Sequence, residues 1–103
     1  MKQRDDLART AALHVLDSWE GHKKPIADLL SSLAASLRED RAQRFARQHV
    51  LGTLRWRLRL DWIIGLFWRR PVDDLERRVL NILRMGILQI SILERVPDRA
   101  AIH

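Results

Sequence analysis

The stretch DRAQRFARQHVLGTLRWRLRL, residues 40–60, decides how this chain is read. At 100° per residue, Ala42, Phe45, His49, Thr53, Trp56 and Leu60 fall within one arc of roughly 60°. Arg41, Arg44, Arg47, Arg55 and Arg59 occupy a different arc of roughly 120°, and Arg57 lies apart from them. One helical period therefore sorts apolar from cationic residues, provided the helix stays continuous to Arg59. Asp61 is a candidate cap for a separate short helix over residues 62–68, and so for a bend there.

Upstream, Ala8, Ala12, Val15, Leu16 and Trp19 recur at helical spacing. They predict a first helix from about Asp5 to Glu20, with Asp5 and Asp6 suiting its dipole and Gly21 its stop. Pro25 is placed to open a second helix, since its missing N–H costs nothing in a first turn. Ile26, Leu29, Leu30, Leu33 and Leu37 give that helix one apolar stripe. Downstream, Pro71 ends the central segment and Asp73-Asp74-Leu75-Glu76 has capping-box spacing. The helix it opens is expected to reach about Leu93. Its expected buried face is Leu75, Val79, Ile82, Leu83, Gly86 and Ile90, with Gly86 admitting a close neighbour. Pro97 stops that helix and Asp98 is placed to cap another.

The fold class is thus all-α, in one domain spanning residues 1–103. A composition of 103 residues with 47% apolar content supports one modest core. No alternating strand-length run of Val, Ile and Thr is present. Zero cysteines exclude disulfides and thiolate metal sites, and suit a reducing cytoplasm. The N-terminus lacks the apolar stretch of a secretory signal. The longest strongly apolar run, residues 85–93, is about half of the roughly 20 residues a membrane span needs. A cytoplasmic protein with no membrane association is expected.

Charge is the most informative functional feature. Residues 38–70 hold nine arginines against Glu39, Asp40 and Asp61, which accounts for the whole net charge of +6. A local excess of arginine attracts polyanions, and its planar forked donors match phosphate oxygens. The candidate RNA-binding residues are Arg41, Arg44, Arg47, Arg55, Arg59, Arg69 and Arg70. The competing reading is a solvated helix face that serves solubility. Catalytic motifs are missing: the four glycines stand alone, and the four histidines lack metal-ligand spacing. No catalytic, cofactor-binding or metal residue is therefore assigned. His49 reads as a hydrogen-bonded core histidine. Trp19 and Trp56 read as packing residues, and Trp62 and Trp68 as rim residues or stacking platforms.

One ordered set of residues also resembles a known family. It comprises Leu54-Arg55, Leu60-Asp61-Trp62-Ile63, Pro71, Ile82-Leu83-Arg84-Met85-Gly86-Ile87-Leu88-Gln89 and Arg95-Val96-Pro97-Asp98-Arg99-Ala100-Ala101. This order is similar to the NusB-like helical bundle, and most similar to the version that precedes the catalytic domain of Sun/Fmu (RsmB) ribosomal RNA cytosine-C5 methyltransferases. Gly86, Gln89 and Ala100-Ala101 stand where the free antitermination factor NusB usually has Ala, Glu and part of a Val-Ile-Asn-Glu-Ala run. The resemblance implies a non-catalytic accessory domain that docks ribosomal RNA against a separate module using S-adenosylmethionine. The alternatives are a NusB-type antitermination factor, binding RNA and a ribosomal protein, and a structural helix-packing module. The family domain continues for two helices beyond the Pro97 turn, so a C-terminally shortened domain is expected. Its uncovered apolar surface would favour a homodimer.

Overall fold

The computed structural model describes residues 2–93, with side chains from Asp6 onward. Five α-helices follow in order: α1 (Lys2–His22), α2 (Ile26–Ser36), α3 (Asp40–Arg55), α4 (Arg57–Phe67) and α5 (Arg77–Leu88). A 3₁₀ turn, Val72–Asp74, precedes α5, and a π-helical turn, Gln89–Leu93, follows it. No strand occurs among the described residues, so the chain is all-α as expected. Contacts gather into two compact units, one ending at Leu51 and the other beginning at Gly52.

In the first unit α1 packs on α2. Ala8, Ala12, Val15 and Leu16 are buried on α1, and Leu29, Leu30 and Leu33 on α2. The small alanines keep the buried stripe of α1 low, and the leucines of α2 supply bulk. The middle of α3 contributes Ala46, His49 and Val50 to the buried set. The Gln43 amide nitrogen donates to the carbonyls of Ala34 (3.1 Å) and Leu37, fastening the start of α3 to the end of α2. The Arg9 guanidinium lies over the Phe45 ring, 5.7 Å from its centroid.

The helix end expected at Gly21 comes later. α1 runs on to His22, and Lys23 takes the left-handed conformation at φ 54°, its N–H bonded to the Trp19 carbonyl (3.1 Å). Pro25 then bars a further helical turn and stands at the N-cap of α2. The proline, not the glycine, sets the boundary.

In the second unit the expected continuity to Arg59 fails. Trp56 leaves helical geometry at φ −102° and ψ 15°, although its N–H still bonds Gly52 and its carbonyl accepts from Leu60. The bend therefore comes five residues before Asp61, which is no cap. It lies inside α4 and faces α5. There Arg84, 3% exposed, sends Nε to Asp61 Oδ1 (2.7 Å) and Nη2 to Oδ2 (2.8 Å). Its Nη1 donates to Asn81 Oδ1 (2.9 Å). Leu60 and Ile64 of α4, and Leu80, Met85 and Leu88 of α5, are buried in this unit. Leu88 also closes on Gly52, where an added Cβ would stand 2.9 Å from Leu88 Cδ2.

This pairing turns α5 away from its expected orientation. Val79, Ile82, Leu83 and Ile90 are exposed, while Leu80, Asn81, Arg84, Met85 and Leu88 are buried. Gly86 has open space around it, so the close approach expected there occurs at Gly52. The capping box does not form either. Asp73 and Asp74 lie in the 3₁₀ turn, and Glu76 is the N-cap with no side-chain hydrogen bond. The turn at Pro97 and the cap at Asp98 lie outside the described residues. Asp61→Leu strands a buried guanidinium and is expected to cost about 3 kcal/mol in urea unfolding. Adding Arg84→Met should restore most of that loss; a double variant as unstable as the single would show that charge pairing is not what holds α4 to α5.

Candidate nucleic-acid interface

All seven candidate arginines are exposed, and they divide between the two units. Arg41, Arg44 and Arg47 stand on α3 in the first. Arg55, at the end of α3, belongs to the second together with Arg59 on α4 and Arg69 and Arg70 beyond it. The single helical stripe from Arg41 to Arg59 is therefore corrected, because the break at Trp56 puts Arg59 on another helix.

Their surroundings separate them further. Among the described residues, Arg41, Arg44, Arg47, Arg59 and Arg69 form no ion pair with an acid. Arg70 does, through Nε to Asp74 Oδ2 at 3.6 Å, and it also lies 5.7 Å from the Trp68 ring centroid. Arg55 lies 5.5 Å from the centroid of Trp56. Guanidinium groups left in water keep all their donors available to phosphate, and an exposed pair like Arg70–Asp74 is weak enough to exchange partners.

Arg44 and Arg47 share a shallow cavity of about 230 Å³ in the first unit, lined also by Leu30, Ala34, Asp40 and Gln43. Sequence periodicity had no means of finding it, since it depends on how α2 meets α3. Asp40 is an acid among the basic residues, exposed and on their side of the helix. His49, read as a core histidine, behaves as expected. It is buried, donates Nδ1–H to the Phe45 carbonyl (2.8 Å) and stacks on the Phe45 ring at a centroid distance of 4.1 Å. Trp19 and Trp56 are half-buried, as is Trp68. Trp62 is 65% exposed and free to contact a partner. Among the described residues no three His, Asp or Glu side chains group as a metal site, and no helix is long and apolar enough to cross a membrane.

The helical order, the buried Arg84 within the Leu83–Gln89 run and the free basic residues now stand beside one decisive comparison. The NusB family profile matches residues 6–103, across both units. The chain belongs to the NusB family. Two of its relatives carry different names. It is 32% identical over 96 residues to the probable ribosomal RNA small subunit methyltransferase B of Bacillus subtilis, covering 92% of this chain and 21% of that protein. It is 29% identical over 97 residues to the transcription antitermination protein NusB of Pectobacterium carotovorum, covering 93% of this chain and 70% of that protein. The chain thus spans about a fifth of the methyltransferase's length. No solved structure matches it.

Among the seven arginines of this NusB-family chain, Arg70 alone has a described acidic partner, which gives a direct test. Asp74→Asn should shift elution from a heparin column to higher salt by more than Glu76→Gln, which removes the same charge from an exposed acid nearby. Equal shifts for the two would mean that only net charge matters there.

Proposed function

We propose that this chain is the non-catalytic RNA-holding domain of an S-adenosylmethionine-dependent ribosomal RNA (cytosine-C5) methyltransferase, acting in the cytoplasm. The observation that carries the RNA-holding part is the set of exposed arginines without acidic partners among the described residues, in a chain whose whole excess charge lies there. Phosphate binding at such groups demands little desolvation and releases condensed counterions. The methyltransferase link is supported by the similarity to the N-terminal part of the Bacillus protein, and by Gly86, Gln89 and Ala100-Ala101. One family match across both units supports treating them as a single functional domain.

The methyl donor belongs to the other module in this reading. The four glycines of this chain are isolated, so its residues do not fit a nucleotide-type cofactor. What this chain supplies is cationic surface that orients RNA.

A second reading, an antitermination factor of the NusB type binding RNA and a ribosomal protein, is favoured by the larger share of the Pectobacterium protein that the chain covers. The reading frame beyond His103 separates the two: a continuing frame with a methyl-donor module selects the first. RNA holding itself is tested by fluorescence anisotropy with small-subunit ribosomal RNA fragments across a salt series. The affinity should fall steeply with salt, and Arg41→Ala with Arg47→Ala should flatten the log–log slope by about 1.4, at roughly 0.7 per phosphate contact on single strands. No binding at low salt would remove the proposal and leave the helix-packing module.

Self-association belongs to the same reading. Leu58, Trp62 and Leu66 form an exposed stripe at four-residue spacing on α4, with Phe67 exposed beside it. Apolar stripes of this kind favour a symmetric contact between copies. Light scattering should show a concentration-dependent dimer that Trp62→Ser abolishes. A clean monomer at high concentration would exclude it.

A further inference from the structure

We propose that the cavity between α2 and α3 is a subsite for one unpaired guanine of the bound RNA strand. It presupposes that the chain holds RNA, and adds to that reading a base preference and a place. The cavity has an apolar floor, Leu30 and Ala34, and a rim of Asp40, Gln43, Arg44 and Arg47. At about 230 Å³ it lies below the ~300–1,000 Å³ of pockets that enclose drug-sized ligands, a size suited to one flat base with its sugar outside.

The rim chemistry selects the base. A carboxylate accepts only, and its two oxygens match two parallel N–H donors, as they do with arginine. Among the four RNA bases only guanine carries adjacent donors of this kind, on N1 and N2. Its O6 and N7 are acceptors that suit a guanidinium, the commonest specific contact made by arginine to a base. Asp40 would take the donor edge, Arg44 the acceptor edge and Arg47 the flanking phosphate. Neither arginine nor Asp40 is already engaged with a described residue. The wall is held in place beforehand, because the Gln43 amide nitrogen bonds both Ala34 and Leu37 carbonyls. Asp40 in the middle of a basic surface weakens general phosphate attraction. A base-reading role gives its carboxylate a ligand that a purely electrostatic surface does not.

The test compares ten-residue single-stranded RNAs, all uridine or with one central guanosine, inosine or adenosine, by anisotropy at fixed salt. The guanosine strand should bind about tenfold tighter than the all-uridine strand, with inosine, which lacks the N2 amine, in between. Asp40→Asn should level the series. So should Ala34→Met, which fills the floor from an exposed helix position and leaves helicity intact by circular dichroism. Equal affinities for all four strands, each still salt-sensitive, would overturn the guanine subsite and leave RNA holding in place. Absence of binding to every strand would overturn both. Free guanosine monophosphate binding as tightly as the guanosine strand would overturn it too, by making a free nucleotide the ligand.

Discussion

A buried arginine sets the geometry of the second half of this chain. Arg84 reaches Asp61 through two hydrogen bonds and Asn81 through a third, so its charge is neutralised and three of its five donors are placed by these contacts alone. Such a group is tolerated in an interior only with near-ideal partners, since an uncompensated guanidinium costs several kcal/mol. The requirement fixes the rotation of α5 about its own axis. Once Arg84 faces α4, Leu80, Met85 and Leu88 must follow it inward, and Val79, Ile82, Leu83 and Ile90 must face out. At Gly52 an added Cβ would press on the end of the Leu88 side chain, which would then have to shift.

That one contact explains where the sequence reading of α5 failed. Apolar periodicity located α1 and α2 and named most of their buried residues, because in those helices burial follows hydrophobicity; on α3 it named His49 and Thr53 and missed Ala46 and Val50. It placed His49 correctly for the same reason: its neighbours at helical spacing are apolar. On α5 two faces are apolar, one through Leu80, Met85 and Leu88 and the other through Val79, Ile82 and Leu83. Hydropathy cannot rank them when the deciding residue is an arginine assigned to water by default. The partner of Arg84 lies 23 residues away on another helix, which no local pattern reports.

Boundaries failed for a related reason. Gly21 and Asp61 carry strong local signals for a stop and a start, yet both sit inside helices. Helix ends are decided by which groups need burial as much as by intrinsic preference. Trp19 and Asp61 each have a packing or pairing role within the helices that were expected to end or begin beside them. Lys23 accepts an unfavourable backbone conformation instead, two residues before a proline that leaves the chain few alternatives.

The candidate interface shows the same residue type serving opposite ends. In Arg84 the guanidinium is dehydrated and paired with Asp61, so it holds structure and is withheld from a ligand. In Arg41, Arg44, Arg47, Arg59 and Arg69 it is hydrated and has no acidic partner among the described residues, so pairing with a phosphate replaces water rather than a protein acid. Arg70 lies between these limits, lightly held by Asp74. Net charge alone counts all of these arginines equally. What distinguishes a binding arginine from a structural one is the carboxylate it already has. By that criterion the lining of the α2–α3 cavity stands out, because there two guanidinium groups and one carboxylate, none paired with a described residue, share an apolar floor. Mixed charge over an apolar surface discriminates between ligands where a uniform basic face only attracts them.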